Sequence, residues 1–107
     1  MNKVKKLSKI ITLTTALTLA LGITAFAANS ISSNVWKESS GGQYRANGWV
    51  CILDSYGNGV DHYTTARLEG WFGTVYATSG RQYGNGTVSA TTPWNGNDGS
   101  AHVYYGY

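Results

Sequence analysis

Two histidines, His62 and His102, are the only imidazoles in the chain, and the nearest acids in sequence to each are Asp61 and Asp98. Proton transfer or metal binding would require these four to converge, and their spacing follows no metal-ligand pattern. Serines are numerous, but none stands in a nucleophile-elbow motif. Asp61 and Glu69 sit at opposite ends of one strand-like segment, which rules against a working carboxylate pair. The expectation is a protein without catalytic residues, metal or cofactor, and so not an enzyme.

Binding chemistry is better supplied. After residue 27 the chain carries four tryptophans, eight tyrosines and Phe72. Arg67 and Arg81 are cations suited to phosphate, the turn from Gly80 to Gly86 offers backbone N–H groups, and Tyr63, Tyr83, Trp94, Tyr104 and Tyr105 offer faces on which sugar rings stack. The plainer alternative pairs Arg67 with Glu69 on one strand face, and makes a core of Trp49, Trp71, Phe72 and Val103 with tyrosines covering it.

These side chains must be held by strands. Glycine recurs every few residues, and β-branched and aromatic residues dominate the remainder. Along His62 to Glu69, residues His62, Thr64, Ala66 and Leu68 alternate with Tyr63, Thr65, Arg67 and Glu69, so two chemistries fall on two faces. Tyr44–Leu53, Thr74–Thr78, Thr87–Thr91 and Ala101–Tyr107 read as further strands. The expected fold is all-β, a small antiparallel sandwich of five to six strands over residues 44–107. Residues 28–43, rich in Ser, Asn and Gly, read as a flexible N-terminal arm or an edge strand. Tyr56-Gly57-Asn58-Gly59 and Tyr83-Gly84-Asn85-Gly86 repeat the same four letters between strands, and Asn-Gly tolerates the positive φ of tight turns. Both are expected to be equivalent hairpin corners.

Four lysines (Lys3, Lys5, Lys6, Lys9) precede an uncharged apolar run, Ile10 to Phe26, that ends in Ala25-Phe26-Ala27. This is the pattern of a cleavable helical signal peptide over residues 1–27, read by the Sec machinery and signal peptidase, and it implies an extracellular protein. Four basic side chains then face five acidic ones, a net charge of −1. A near-neutral mature chain gives no support for a nucleic-acid partner. Cys51 has no second cysteine to pair with inside the chain. A small buried residue is the expectation for it, with an intermolecular disulfide and homodimer as the alternative.

Tyr56-Gly57-Asn58-Gly59-Val60 is also the signature box of the pediocin-like bacteriocins, where it leads into a cysteine pair and an amphipathic helix. Here it leads into Asp61-His62-Tyr63 with neither. A different resemblance covers His62 to the C-terminus: the histidine-bearing strand, the Ser79-Gly80-Arg81 turn, the small-residue strand Gly86–Thr91 and the terminal Ala101-His102-Val103-Tyr104-Tyr105. In order and spacing this resembles the lactococcin 972 family of small Sec-secreted bacteriocins. The resemblance implies an antiparallel β-sandwich that acts on Gram-positive cells by binding the wall precursor lipid II and arresting septum formation. The alternatives are a non-toxic cell-surface protein that binds wall polysaccharide, and a membrane-active β-protein.

Overall fold

The computed structural model describes residues 9–11 and 28–107. Its strands are β1 (Lys9–Ile11), β2 (Ser30–Ser40), β3 (Gln43–Leu53), β4 (Asp61–Glu69), β5 (Val75–Thr78), β6 (Gln82–Asn85), β7 (Thr87–Thr91) and β8 (Ser100–Gly106). They form two antiparallel sheets, so the fold is the expected all-β sandwich; β3–β8 supply six strands over the expected β region, and β1 and β2 precede it. Sheet A has the order β1-β2-β3-β7. In sheet B, β4 is central: β8 takes one edge, while β5 and β6 share the other, β6 opposite Asp61–Thr64 and β5 opposite Arg67–Glu69. Ser79 fills the gap between these two short strands, accepting from the Ala66 N–H through Oγ (2.9 Å) and donating its own N–H to the Ala66 carbonyl (2.9 Å).

Most of the segment 28–43 is a strand rather than a flexible arm. Every residue from Ser30 to Ser40 is paired with β3, through a Gly41-Gly42 turn in which both glycines have positive φ (57° and 80°). Such a two-residue turn matches the twist of the flanking strands, and glycine adopts it without steric cost. Small polar residues hide the alternation, for Ser33 is buried beside Val35.

The core is built from small side chains. Ala46, Ala66, Leu68 and Ala90 form its centre, with Val35, Val50, Ile52 and Val88 buried around them. Gly48 leaves room for Val103, whose Cβ would lie 3.2 Å from a methyl group at that position. Facing layers of alanine and glycine leave no space for indoles, so the aromatic core of the plainer alternative, Trp49, Trp71, Phe72 and Val103, is not formed. Trp49 lies half-buried on the outer face of sheet A, Trp71 and Phe72 are exposed, and only Val103 faces the interior side. Cys51 shares the outer side with Trp49 and is half-buried, not enclosed as expected, opposite Ser32 and Thr87.

Neither YGNG segment is a hairpin. Each carries the chain from one sheet to the other, and the two meet at one corner of the sandwich. In the first, Asp54 organises the turn: its carboxylate accepts from the N–H groups of Tyr56 (2.8 Å) and Asn58 (2.9 Å), and Gly57 has φ 84°. In the second, Tyr83 to Asn85 are strand residues paired with β4, and only Gly86 turns, with φ 73°. Asn85 Nδ2 then donates to Gly59 O (3.2 Å) and Asp61 Oδ1 (2.8 Å), and Gly86 N–H to Val60 O (3.2 Å).

The segment read as a helical signal peptide lies outside the described residues except for Lys9–Ile11, which are extended and pair with Ser33–Val35. Among the described residues, no helix is long and apolar enough to cross a membrane.

Candidate binding face on sheet B

Alternation along β4 turns Tyr63, Thr65, Arg67 and Glu69 away from the core. Register places Tyr83 opposite Tyr63, Tyr104 opposite Thr65 and His102 opposite Arg67. Strand pairing therefore gathers five of the seven residues singled out in the sequence on one outer face: Tyr63, Arg67, Arg81, Tyr83 and Tyr104.

They form two clusters, about 13 Å apart at roughly 3.3 Å per strand residue. In the first, the Arg81 guanidinium stands over the Tyr63 ring (4.3 Å to the centroid) and Tyr83 meets Tyr63 edge-on at 5.7 Å. The Tyr83 hydroxyl, then the Tyr63 phenol, raises the Arg81 pKa further above its ordinary value. In the second cluster, Arg67 lies over the Tyr104 ring at 5.0 Å, and the Tyr104 hydroxyl donates to Glu69 Oε2 at 2.6 Å. That hydrogen bond, with some burial, pushes the Tyr104 phenol above its usual pKa. Glu69 also draws Arg67 Nη1 (3.8 Å) and His102 Nε2 (3.7 Å), so the Arg67–Glu69 pairing weighed as the plainer alternative is present.

The two cations thus differ in kind. Arg67 is partly offset by Glu69. Among the described residues Arg81 makes no salt bridge, and it is fully solvated. An arginine with an aromatic floor and no carboxylate is equipped to receive an anion.

No family model, curated protein or solved structure matches this chain. What the face can do must therefore be read from its own chemistry. Among the described residues no three His, Cys, Asp or Glu side chains come together. His62 is buried between the sheets, its Nδ1 2.9 Å from Val60 O and its Nε2 3.0 Å from Val50 O, far from any role on the outer face.

Trp94 and Tyr105 are not part of this face. Tyr105 pairs with the inward residue Thr64 and meets Tyr107 edge-on at 6.3 Å. Trp94 lies in the segment after β7, beside sheet A, where Arg45 of β3 stacks over it at 4.3 Å and donates through Nε to Glu38 Oε1 at 2.5 Å. Glu69 and His102 join the face without having been singled out. Their signal was positional, since Glu69 shares the parity of Tyr63 and Arg67.

The Arg45 hydrogen bond, assisted by Asn47 and opposed by partial burial, holds the Glu38 carboxyl below its ordinary pKa of 4.5. A lowered folded-state value means that Glu38 adds stability above the unfolded value and loses it as pH falls through the folded one. Thermal midpoints recorded from pH 6 downward should therefore drop below about pH 4.5, and Glu38→Gln should flatten part of that drop. An unchanged profile in the variant would mean that the pair contributes nothing.

Proposed function

We propose that this chain is a secreted, non-catalytic antibacterial protein that binds the Gram-positive wall precursor lipid II through the outer face of sheet B and so blocks septum formation. The observation that carries the proposal is Arg81, a cation with no acidic partner among the described residues, set against Tyr63 and flanked by Tyr83. A pyrophosphate linked to sugars asks for a charge-assisted donor beside aromatic faces, and this cluster supplies both. The sequence resemblance to the lactococcin 972 family supports the same reading from a different direction, as does the Sec-type N-terminus.

Arg81→Ala should weaken lipid II binding by about 10- to 100-fold, through loss of its charge-assisted contact to the pyrophosphate. Arg67→Ala should cost less, because Glu69 already engages that guanidinium. Titration of wild type and both variants with purified lipid II, and with undecaprenyl phosphate as a sugar-free comparison, reads these affinities. Clearing of a sensitive lawn reads the consequence. Wild-type affinity in Arg81→Ala would overturn the assignment of this face. Wall sedimentation without growth inhibition would favour a non-toxic protein that binds wall polysaccharide, a reading supported by the outward aromatics on sheet B and beside sheet A, Tyr83 and Trp94 among them.

A further inference from the structure

The turn between β4 and β5 breaks the ordinary rules of a small soluble domain. Trp71 is 79 % exposed, Phe72 100 % and Val75 42 %, three apolar side chains within five residues. Phe72 also adopts φ 54°, the one positive φ outside glycine among the described residues, in a region that disfavours bulky side chains. The turn is nevertheless closed and ordered by its own hydrogen bonds, Gly70 N–H to Thr74 O (2.8 Å) and Thr74 N–H to Trp71 O (3.1 Å). Strain of this kind persists where the surroundings impose it, and here it projects two large rings into solvent.

What lies beneath the tip narrows the occupant. An open cleft of about 490 Å³ is lined by Lys37, Glu69, Tyr76 and Asp98 together with Trp71 and Phe72. Its charges are already matched: Lys37 pairs with Asp98 and donates to Gly99 O, while Glu69 is engaged by Tyr104, Arg67 and His102. The charged groups of the cleft are already paired, whereas among the described residues the rings above make ring contact only with each other, 6.4 Å apart. The tip is convex, so a protein partner would need a pocket shaped to it. A bilayer interface accepts such a wedge without any shape of its own, and tryptophan beside an apolar residue is suited to that boundary.

We infer that Trp71 and Phe72 form a preformed anchor that enters the interface of a lipid bilayer. Neighbouring charges cancel, so neutral lipid suffices and salt has little effect. The inference stands on the tip alone and does not rest on lipid II binding.

The test places an environment-sensitive fluorophore beside the tip through Thr74→Cys, in a Cys51→Ser background, and at the opposite end of the sandwich through Tyr56→Cys. Both proteins, as the secreted chain 28–107, are mixed with phosphatidylcholine vesicles free of wall precursor, with and without brominated lipid as a contact quencher. The Thr74 probe should shift to the blue and be quenched; the Tyr56 probe should do neither. Adding Trp71→Ala and Phe72→Ala should raise the half-saturating lipid concentration for the tip probe at least tenfold. A tip probe that stays in water, or equal signals with and without the two rings, would overturn the inference. Because the vesicles hold no lipid II, neither result bears on the proposal for sheet B.

Discussion

Gly59→Ala is expected to cost about 3 kcal/mol, whereas Gly57→Ala, two residues earlier in the same YGNG segment, should cost only about 1 kcal/mol. A Cβ on Gly59 would lie 2.3 Å from Asn85 Oδ1, 2.9 Å from Gly86 Cα and 3.0 Å from Gly86 N. The amide of Asn85 could swing aside only by giving up its bonds to Gly59 O and Asp61, and the Gly86 backbone is fixed by its own bonds to Val60 and Ile52. Gly57 meets nothing within 4 Å, so its cost is that of alanine at φ 84° and no more. A domain of this size unfolds with a few to about ten kcal/mol, and each kcal/mol moves Tm by about 4–8 °C. Thermal melts of the two variants should thus separate by roughly 8–16 °C. Equal melts would mean that the two crossovers are not wedged against each other.

His62→Ala should be comparably severe, at about 3–4 kcal/mol. The ring is 2 % exposed and spans the two sheets, facing the Val60 carbonyl with one nitrogen and the Val50 carbonyl of β3 with the other. Alanine removes the ring N–H that bonds to these carbonyls and leaves a cavity the size of an imidazole. His62→Gln should recover part of the loss, since its amide can donate to one carbonyl. Urea titrations of the three proteins check this. A loss below about 1 kcal/mol in His62→Ala would reduce the ring to space filling.

Sheet B was legible because its strands separate chemistries by parity. Tyr63, Arg67 and Glu69 alternate with Thr64, Ala66 and Leu68, and a period of two can be read directly from such a run. Which strands lie beside β4 could not be read, because register arises from pairings far apart in the chain. Hence Tyr105 was grouped with Tyr104 although consecutive strand residues face opposite ways, and Trp94 was grouped with a sheet to which it does not belong. Residues 28–43 misled because Ser33 fills an inward position where an apolar residue would have signalled a strand. The repeated YGNG misled for another reason: identical letters adopt different conformations once Tyr83 to Asn85 are drawn into pairing with β4. For Trp71 and Phe72 the choice between core and surface could not be read from residue type, and layers of alanine and glycine decide it by excluding them.

The position of β8 sets a condition on when this protein can finish folding. β4 ends at Glu69, yet one of its edges is covered only by Ser100–Gly106, at the far end of the chain. The β2–β3 hairpin can close as soon as it is made, but the middle strand of sheet B waits, half open, for β8 to arrive. Loops of that length close late and depend on chain topology more than on local preference. A chain released from its N-terminus toward its C-terminus would thus leave sheet B unfinished until β8 has emerged, with assembly timed by the order in which its strands appear.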